Sequence, residues 1–544
     1  MSSKSTKSAT GPLSLLLAAV VVVLGYLFYP AASPTLNPTV VLPQGTVRGV
    51  VLERSDFGKP VEAFRGIPYA LPPVGPLRFA RAQPVPDSNA TINALDYGPR
   101  CPGKQLLVVP GTAASSEDCL TVNVFRPMGN LTNLPVAVYF HGGAFNRGTA
   151  KMHDTASMVS HAEPFIGVSF NYRIGALGFL NSAMTAKEGL LNLGLRDQTL
   201  LLDWVQTNIA SFGGSPNDVT IIGLSAGAHS IGHHLLNQKA TFHKAVMESG
   251  GPTSRALHPY NSALHESQFQ HFLSLTNCTD LPCLRALPSS AITTASTTVF
   301  DASNPSVRWA WQPVIDGDLV PGRSLEQPWP AHIPILTGFV HNEGTMYVPK
   351  TMSSATEFDD FFRTLLPHVT EPVGLLYPPE QYVEWREGRG AQYRRVEAAY
   401  GQYAYVCPVR QTARLAKGDV WLYHWAVNAS VLGGANHGDQ MWYETMDPEV
   451  RAVSESQETL ARWFHGYVSG FIVHGDPNRG LEVVAERPRW REWRESGGET
   501  MVFGLGNDER AGGGNVGELA VCRKDEWAER QCDFWWGLSG KYED

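Results

Sequence analysis

The residues most able to do chemistry are Gly223-Leu224-Ser225-Ala226-Gly227, a serine held between two glycines. A β-branched run, Asp218–Ile222, precedes it, and a helix-forming stretch from Ala228 to Gln238 follows. That is the layout of a strand turning sharply into a helix, which lifts a serine hydroxyl out of the backbone into a cleft. With 52 Gly in the chain, chance alone would supply roughly a third of such a pentapeptide, so its weight comes from the flanks. A serine nucleophile also needs oxyanion donors, an acid and a histidine. Upstream, the buried-strand pattern Leu134–Phe140 ends in His141-Gly142-Gly143-Ala144-Phe145, where small residues let backbone N–H groups approach a developing oxyanion. Downstream, the strand-like Pro334–Gly338 leads to Glu343, a candidate acid. His437 lies in the small-residue loop Gly433–Gly438, after the apolar strand Val420–Ala426. His341 and His424 rival it by position.

The elements that must hold these residues alternate. Phe165–Asn171 reads as a further strand and Leu201–Phe212 as a helix, so the pattern predicts an α/β protein with a mostly parallel sheet and helices on both faces. Ligands then bind at the carboxyl ends of the strands, where the serine and the glycine loop both fall. Length alone favours three or four domains. No linker, repeat or composition break follows residue 45, however, and 45–544 reads as one large catalytic domain with insertions. The net charge of −8 is spread along the chain and gives no basic footprint for nucleic acid. The Arg/Trp segment 487–494 reads as an amphipathic surface stretch with Trp490 and Trp493 turned inward.

Lys4 and Lys7 precede an apolar run from Leu13 to Tyr29, and no Lys or Arg follows until Arg48. This bias sends the remainder of the chain across a membrane. The run is at the lower limit of a span, and Tyr29-Pro30-Ala31 is a poor cleavage site, which favours an uncleaved signal anchor (1–29) over a signal peptide. Residues 30–44 then form a Pro-rich stalk. Membrane contact would come only through residues 13–29, and only if they are retained; otherwise the protein is secreted. Asn89, Asn130, Asn277 and Asn428 begin glycosylation sequons. Seven cysteines suit an oxidising compartment. Cys278 and Cys283 are spaced to close a small loop, and Cys101 and Cys119 bracket a polar one.

The chain resembles the type-B carboxylesterase/lipase family, which includes the cholinesterases, and in character it is nearest to fungal-type carboxylesterases. The resemblance runs from about Val40 to the C-terminus through Phe64–Ala70, Ser116–Asn123, Asn171–Phe179, Asn192–Gln198 and Phe212–Thr220. It implies an α/β-hydrolase fold with Ser225 as nucleophile, Glu343 as acid and His437 as base. The implied oxyanion donors are the N–H groups of Gly143, Ala144 and Ala226. It also implies disulfides Cys101–Cys119, Cys278–Cys283 and Cys407–Cys532, with Cys522 left over, and structural ion pairs Arg78–Glu117 and Arg173–Asp197. Phe145, Leu224, Met346 and Tyr347 match pocket positions.

Departures narrow the substrate. Cholinesterases carry an acidic residue before the nucleophile and a tryptophan in the first disulfide loop, both suited to a quaternary ammonium. Leu224 replaces the acid and residues 102–118 contain no aromatic, which argues against choline esters. At about 17 residues that loop is short for an interfacial lid, favouring an esterase over a triacylglycerol lipase. The expected activity is hydrolysis of a small-molecule carboxylic ester through an acyl-enzyme, without metal or organic cofactor. A non-catalytic binding or adhesion relative is the rival of another class.

Overall fold

The computed structural model describes residues 37–542 apart from 106–113, 238–240, 255–256, 305–306, 368, 370–372, 385, 429–433, 481–486 and 507–516. The apolar run 13–29 lies outside the described residues. Among those described, no helix is long and apolar enough to cross a membrane. The folded unit begins at Thr39, because β1 (Thr39–Leu42) pairs antiparallel with β2 (Gly45–Arg48), and β2 pairs with β5 (Thr91–Asn93). The expected stalk, 30–44, is therefore too long at its C-terminal end. Val40 and Leu42 alternate into the core, a strand signal that two nearby prolines obscure in the sequence.

The main sheet has eleven strands. They are β3 (Val50–Leu52), β4 (Val61–Pro68), β6 (Thr121–Pro127), β7 (Leu134–Phe140), β8 (Ile166–Phe170), β9 (Gly214–Leu224), β10 (Lys244–Glu248), β11 (Ile335–Val340), β12 (Val420–Trp425), β13 (Glu499–Leu505) and β14 (Glu518–Lys524). Their order is β14-β13-β12-β11-β10-β9-β7-β8-β6-β4-β3. The run from β13 to β8 is parallel throughout, and antiparallel strands close each edge.

Side chains alternate between two cores, as a pleated strand covered on both faces requires. On β7, Val136, Val138 and Phe140 enter one core while Ala137 and Tyr139 enter the other. On β12, Val420 and Leu422 oppose Trp421, Tyr423 and Trp425 in the same way. The first core is closed by helices Leu193–Asn208 and Ala226–Asn237, the second by helix Glu455–His474. Buried ion pairs pin the loops beneath: Arg78 donates to both Glu117 oxygens at 2.8 Å, and Arg173 to both Asp197 oxygens at 2.8 and 2.7 Å. Three disulfides join Cys101–Cys119, Cys278–Cys283 and Cys407–Cys532, and Cys522 is free. Trp490 is fully buried, and Trp493 packs partly against the core.

Candidate active site

Both glycines around Ser225 are forced by contact. A Cβ on Gly227 would meet the Phe140 carbonyl oxygen at 2.0 Å, and one on Gly223 would meet the Gly227 backbone at 2.6 Å. The turn between β9 and its helix is thus too tight for side chains. Ser225 takes φ 58°, the left-handed region that costs a non-glycine residue about 1–3 kcal/mol. Its N–H donates to the Glu248 carbonyl at 2.9 Å, which fixes the turn to the end of β10.

The glycine loop at the end of β7 lies against this elbow. A Cβ on Gly142 would stand 3.2 Å from Ser225 Cβ. Gly143, Ala144 and Phe145 all have positive φ, at 114°, 55° and 60°. A backbone this sharply turned is eased by the small residues Gly143 and Ala144. The loop's carbonyls are held down: Asn146 Nδ2 donates to Ala144 O at 2.8 Å, Gln312 Nε2 to the same oxygen at 3.0 Å, and Gly175 N to Phe145 O at 2.7 Å. Among the described residues, the N–H groups of Gly143, Ala144 and Ala226 enter no loop or turn hydrogen bond.

The acid and the histidine meet because their loops pair. Asn342 and Asn436 form a parallel β-bridge, which sets the next residues, Glu343 and His437, side by side. Glu343 Oε2 lies 2.5 Å from His437 Nδ1, and its Oε1 accepts from Val340 N at 2.9 Å. His437 Nε2 is buried with no partner. The adjoining Gly438 faces the elbow, since a Cβ there would be 3.2 Å from Leu224 Cδ2. Asn342, beside the Glu343 acid, accepts from Ala435 N at 3.0 Å and donates to Glu397 Oε2 at 3.4 Å. An aspartate would lose that second bond. Burial raises the Glu397 carboxyl to about 7 despite Arg394 nearby.

Of the four expected pocket residues, Phe145 and Leu224 are buried, and Tyr347 sits 5.3 Å from the His437 ring. Met346 is 45% exposed. Walls absent from the sequence expectation are Tyr405, 4.6 Å from His437, and Trp309, 5.2 Å from Tyr347. Trp309 lines a narrow pocket of about 50 Å³ with Tyr400, Tyr403, Leu365 and Gln312. His341 and His424 do not enter the site; they hydrogen-bond each other at 3.0 Å, and His424 pairs with Asp525. Asn89, Asn130 and Asn277 are exposed. Asn428 is buried, and its Oδ1 accepts from Gly434 N at 2.5 Å.

Behind the elbow lies a polar cluster that the sequence does not announce. Glu248 and Glu444 are buried against each other, with Tyr423 donating to Glu248 Oε1 at 3.0 Å and His153 Nε2 3.7 Å from Glu444 Oε1. Burial first, then the Glu444 charge, raises the Glu248 carboxyl well above its ordinary range. Burial also raises Glu444 to about 7 and lowers His153 to about 4, so the latter contact joins two largely neutral groups near pH 6.

A family model described as the carboxylesterase family matches residues 36–535. The chain is 34% identical over 465 residues to secreted lipase 4 of Gibberella zeae, covering 80% of this chain and 83% of that protein. It is 30% identical to lipase 2 of Geotrichum candidum, over 90% and 94% of the two chains. Acetylcholinesterase of Bungarus fasciatus is 32% identical over 68% of this chain and 65% of its own.

Proposed function

The chain belongs to the carboxylesterase family and is a carboxylic ester hydrolase, and from that premise we propose that Ser225, His437 and Glu343 are its catalytic triad. The supporting observation is the bridge between residues 342 and 436, which gives His437 an acid on Nδ1 and leaves Nε2 open next to the elbow. His437 takes the Ser225 proton as Oγ attacks the ester carbonyl carbon. Charge moves to the carbonyl oxygen, which the N–H groups of Gly143, Ala144 and Ala226 receive. The imidazolium, oriented by Glu343, protonates the departing alcohol. Water, deprotonated by the same ring, then releases the acid and frees Ser225. No hydrogen bond joins Ser225 Oγ to His437 Nε2 in this structure, and such contacts commonly tighten only with substrate bound.

Ser225→Ala is expected to lower kcat on a soluble ester by about 10⁶. Undiminished turnover in purified variant protein would remove the assignment. The lipases among the similar proteins favour a second reading, in which the substrate is a triglyceride. Comparing a dispersed short-chain ester with an emulsified long-chain triglyceride separates the two: a jump in rate above the solubility limit favours the lipase. The exposed acceptors Asn89, Asn130 and Asn277, the disulfides and a secreted relative support a place in the secretory pathway for the domain from Thr39 onward. Residues 1–29 would be its anchor or signal peptide, and sequencing the mature N-terminus decides between them.

A further inference from the structure

A second cleft lies away from the serine, between helix Cys407–Leu415, the β13–β14 edge and helix Glu529–Tyr542. Its volume is about 390 Å³, within the ~300–1,000 Å³ of small-molecule sites. Arg410, Arg414, Arg494 and Lys524 line it together with Trp493 and Trp536. Arg410 is only 7% exposed; its Nη2 donates to Asp525 Oδ2 at 2.8 Å, and its Nε is buried with no partner. Arg410 thus adds fixed positive charge to the wall of the cleft. The Trp536 indole is held through Nε1 to Cys407 O at 3.1 Å, and Trp493 packs partly against the core. Arg414 covers one face of Trp536 at 4.1 Å.

Arg410, Arg414, Arg494 and Lys524 line the cleft with a single carboxylate, Glu529, while Asp525 and Asp533 pair with Arg410 and Arg414 at its margin, so the lining itself is net positive and suits an anion. The two indoles add apolar, flat contact area. We propose that this cleft binds a carboxylate carried on an apolar or aromatic body. That is the chemical class ester hydrolysis releases, a link that rests on the reading above, whereas the binding does not.

The test is calorimetric titration of the full chain after a fluorophosphonate has blocked Ser225, so that the catalytic cleft cannot take the probe. The probes are 2-naphthoate, its neutral amide and inorganic phosphate. The expected result is one equivalent of naphthoate, bound at least tenfold more tightly than either other probe. Binding should fall at least tenfold in the Arg494→Ala, Lys524→Ala double variant, whose labelling at Ser225 and ester turnover stay unchanged and report its folding. No heat with naphthoate, no effect of the double variant, or equal binding of the amide or of phosphate would each overturn the proposal. Should Ser225 fail to label, the catalytic assignment falls, and the titration run on Ser225→Ala protein still decides this one.

Discussion

Two acid–histidine pairs lie near the ends of the sheet strands, Glu343 with His437 in the loops after β11 and β12, and His424 of β12 with Asp525 just after β14, and only the first is arranged as the proposed catalytic pair. In the first, Glu343 holds His437 Nδ1 and nothing occupies Nε2. In the second, Asp525 holds His424 Nδ1 at 3.1 Å, but His424 Nε2 is taken by His341 Nδ1, and His424 stacks on Trp527 while His341 meets the same indole at a tilt. An acid beside a histidine is therefore not the distinguishing feature. The distinction on which the proposed triad rests is whether the far nitrogen is left open, in a loop that faces the Ser225 elbow. The second pair instead spans from Asp525 to a buried arginine, Arg410, and holds structure together.

The sharpest break of that comparison is at the acids. Glu343→Gln keeps the shape but removes the charge that stabilises the imidazolium, and kcat is expected to fall by of order 10⁴ with little change in KM. Steady-state kinetics on a soluble ester checks it. Asp525→Asn should do the reverse. Turnover of the folded enzyme stays near wild type, while stability to urea falls by about 3–5 kcal/mol, because Arg410 is left as an uncompensated buried charge. Burial would raise the Asp525 carboxyl, but the His424 hydrogen bond, its charge and Arg410 outweigh this and hold it at about 2. A depressed carboxyl stabilises above its unfolded value of 3.8, and that contribution is lost as pH drops through about 2. If Asp525→Asn cost as much activity as Glu343→Gln, the two pairs would not be functionally separate.

The parts of this site legible in the sequence are those dictated locally. The elbow shows because glycine alone fits where Phe140 O and the Gly227 backbone approach. β7 matches its expected span, Leu134–Phe140, and β8, β11 and β12 match theirs to within a residue or two, because each is a short apolar run buried on both faces. Helix Leu193–Asn208 is where the pattern misled: the expectation was 201–212. Its first turns carry Asp197 and Gln198, polar by type yet fully buried, because Arg173 and His234 satisfy them from elsewhere in the chain. Apolar periodicity cannot register a buried residue whose partner lies 24 or 36 positions away. Asn146 and Gln312, which clamp Ala144 O, were missed for the same reason.

A third acid–histidine contact, Glu444 with His153, extends the comparison to groups that are neutral. Glu444 sits on helix Gln440–Glu444, just after His437, and its partner Glu248 supplies the carbonyl that holds Ser225 N. A carboxyl raised from 4.5 to about 7 by burial binds its proton more tightly in the folded chain than in the unfolded one. Its contribution to stability is thus complete below pH 4.5 and is lost as pH climbs through about 7. Glu444→Gln keeps an uncharged group of the same shape facing Glu248 without needing a proton, so the variant should lose less stability than wild type between pH 5 and pH 8. The slopes should differ by at most about 1.4 kcal/mol per pH unit, the value for one proton. Urea midpoints across that range measure it, and identical slopes would mean that Glu444 is ionised in the folded protein and that the cluster behind the elbow carries charge after all.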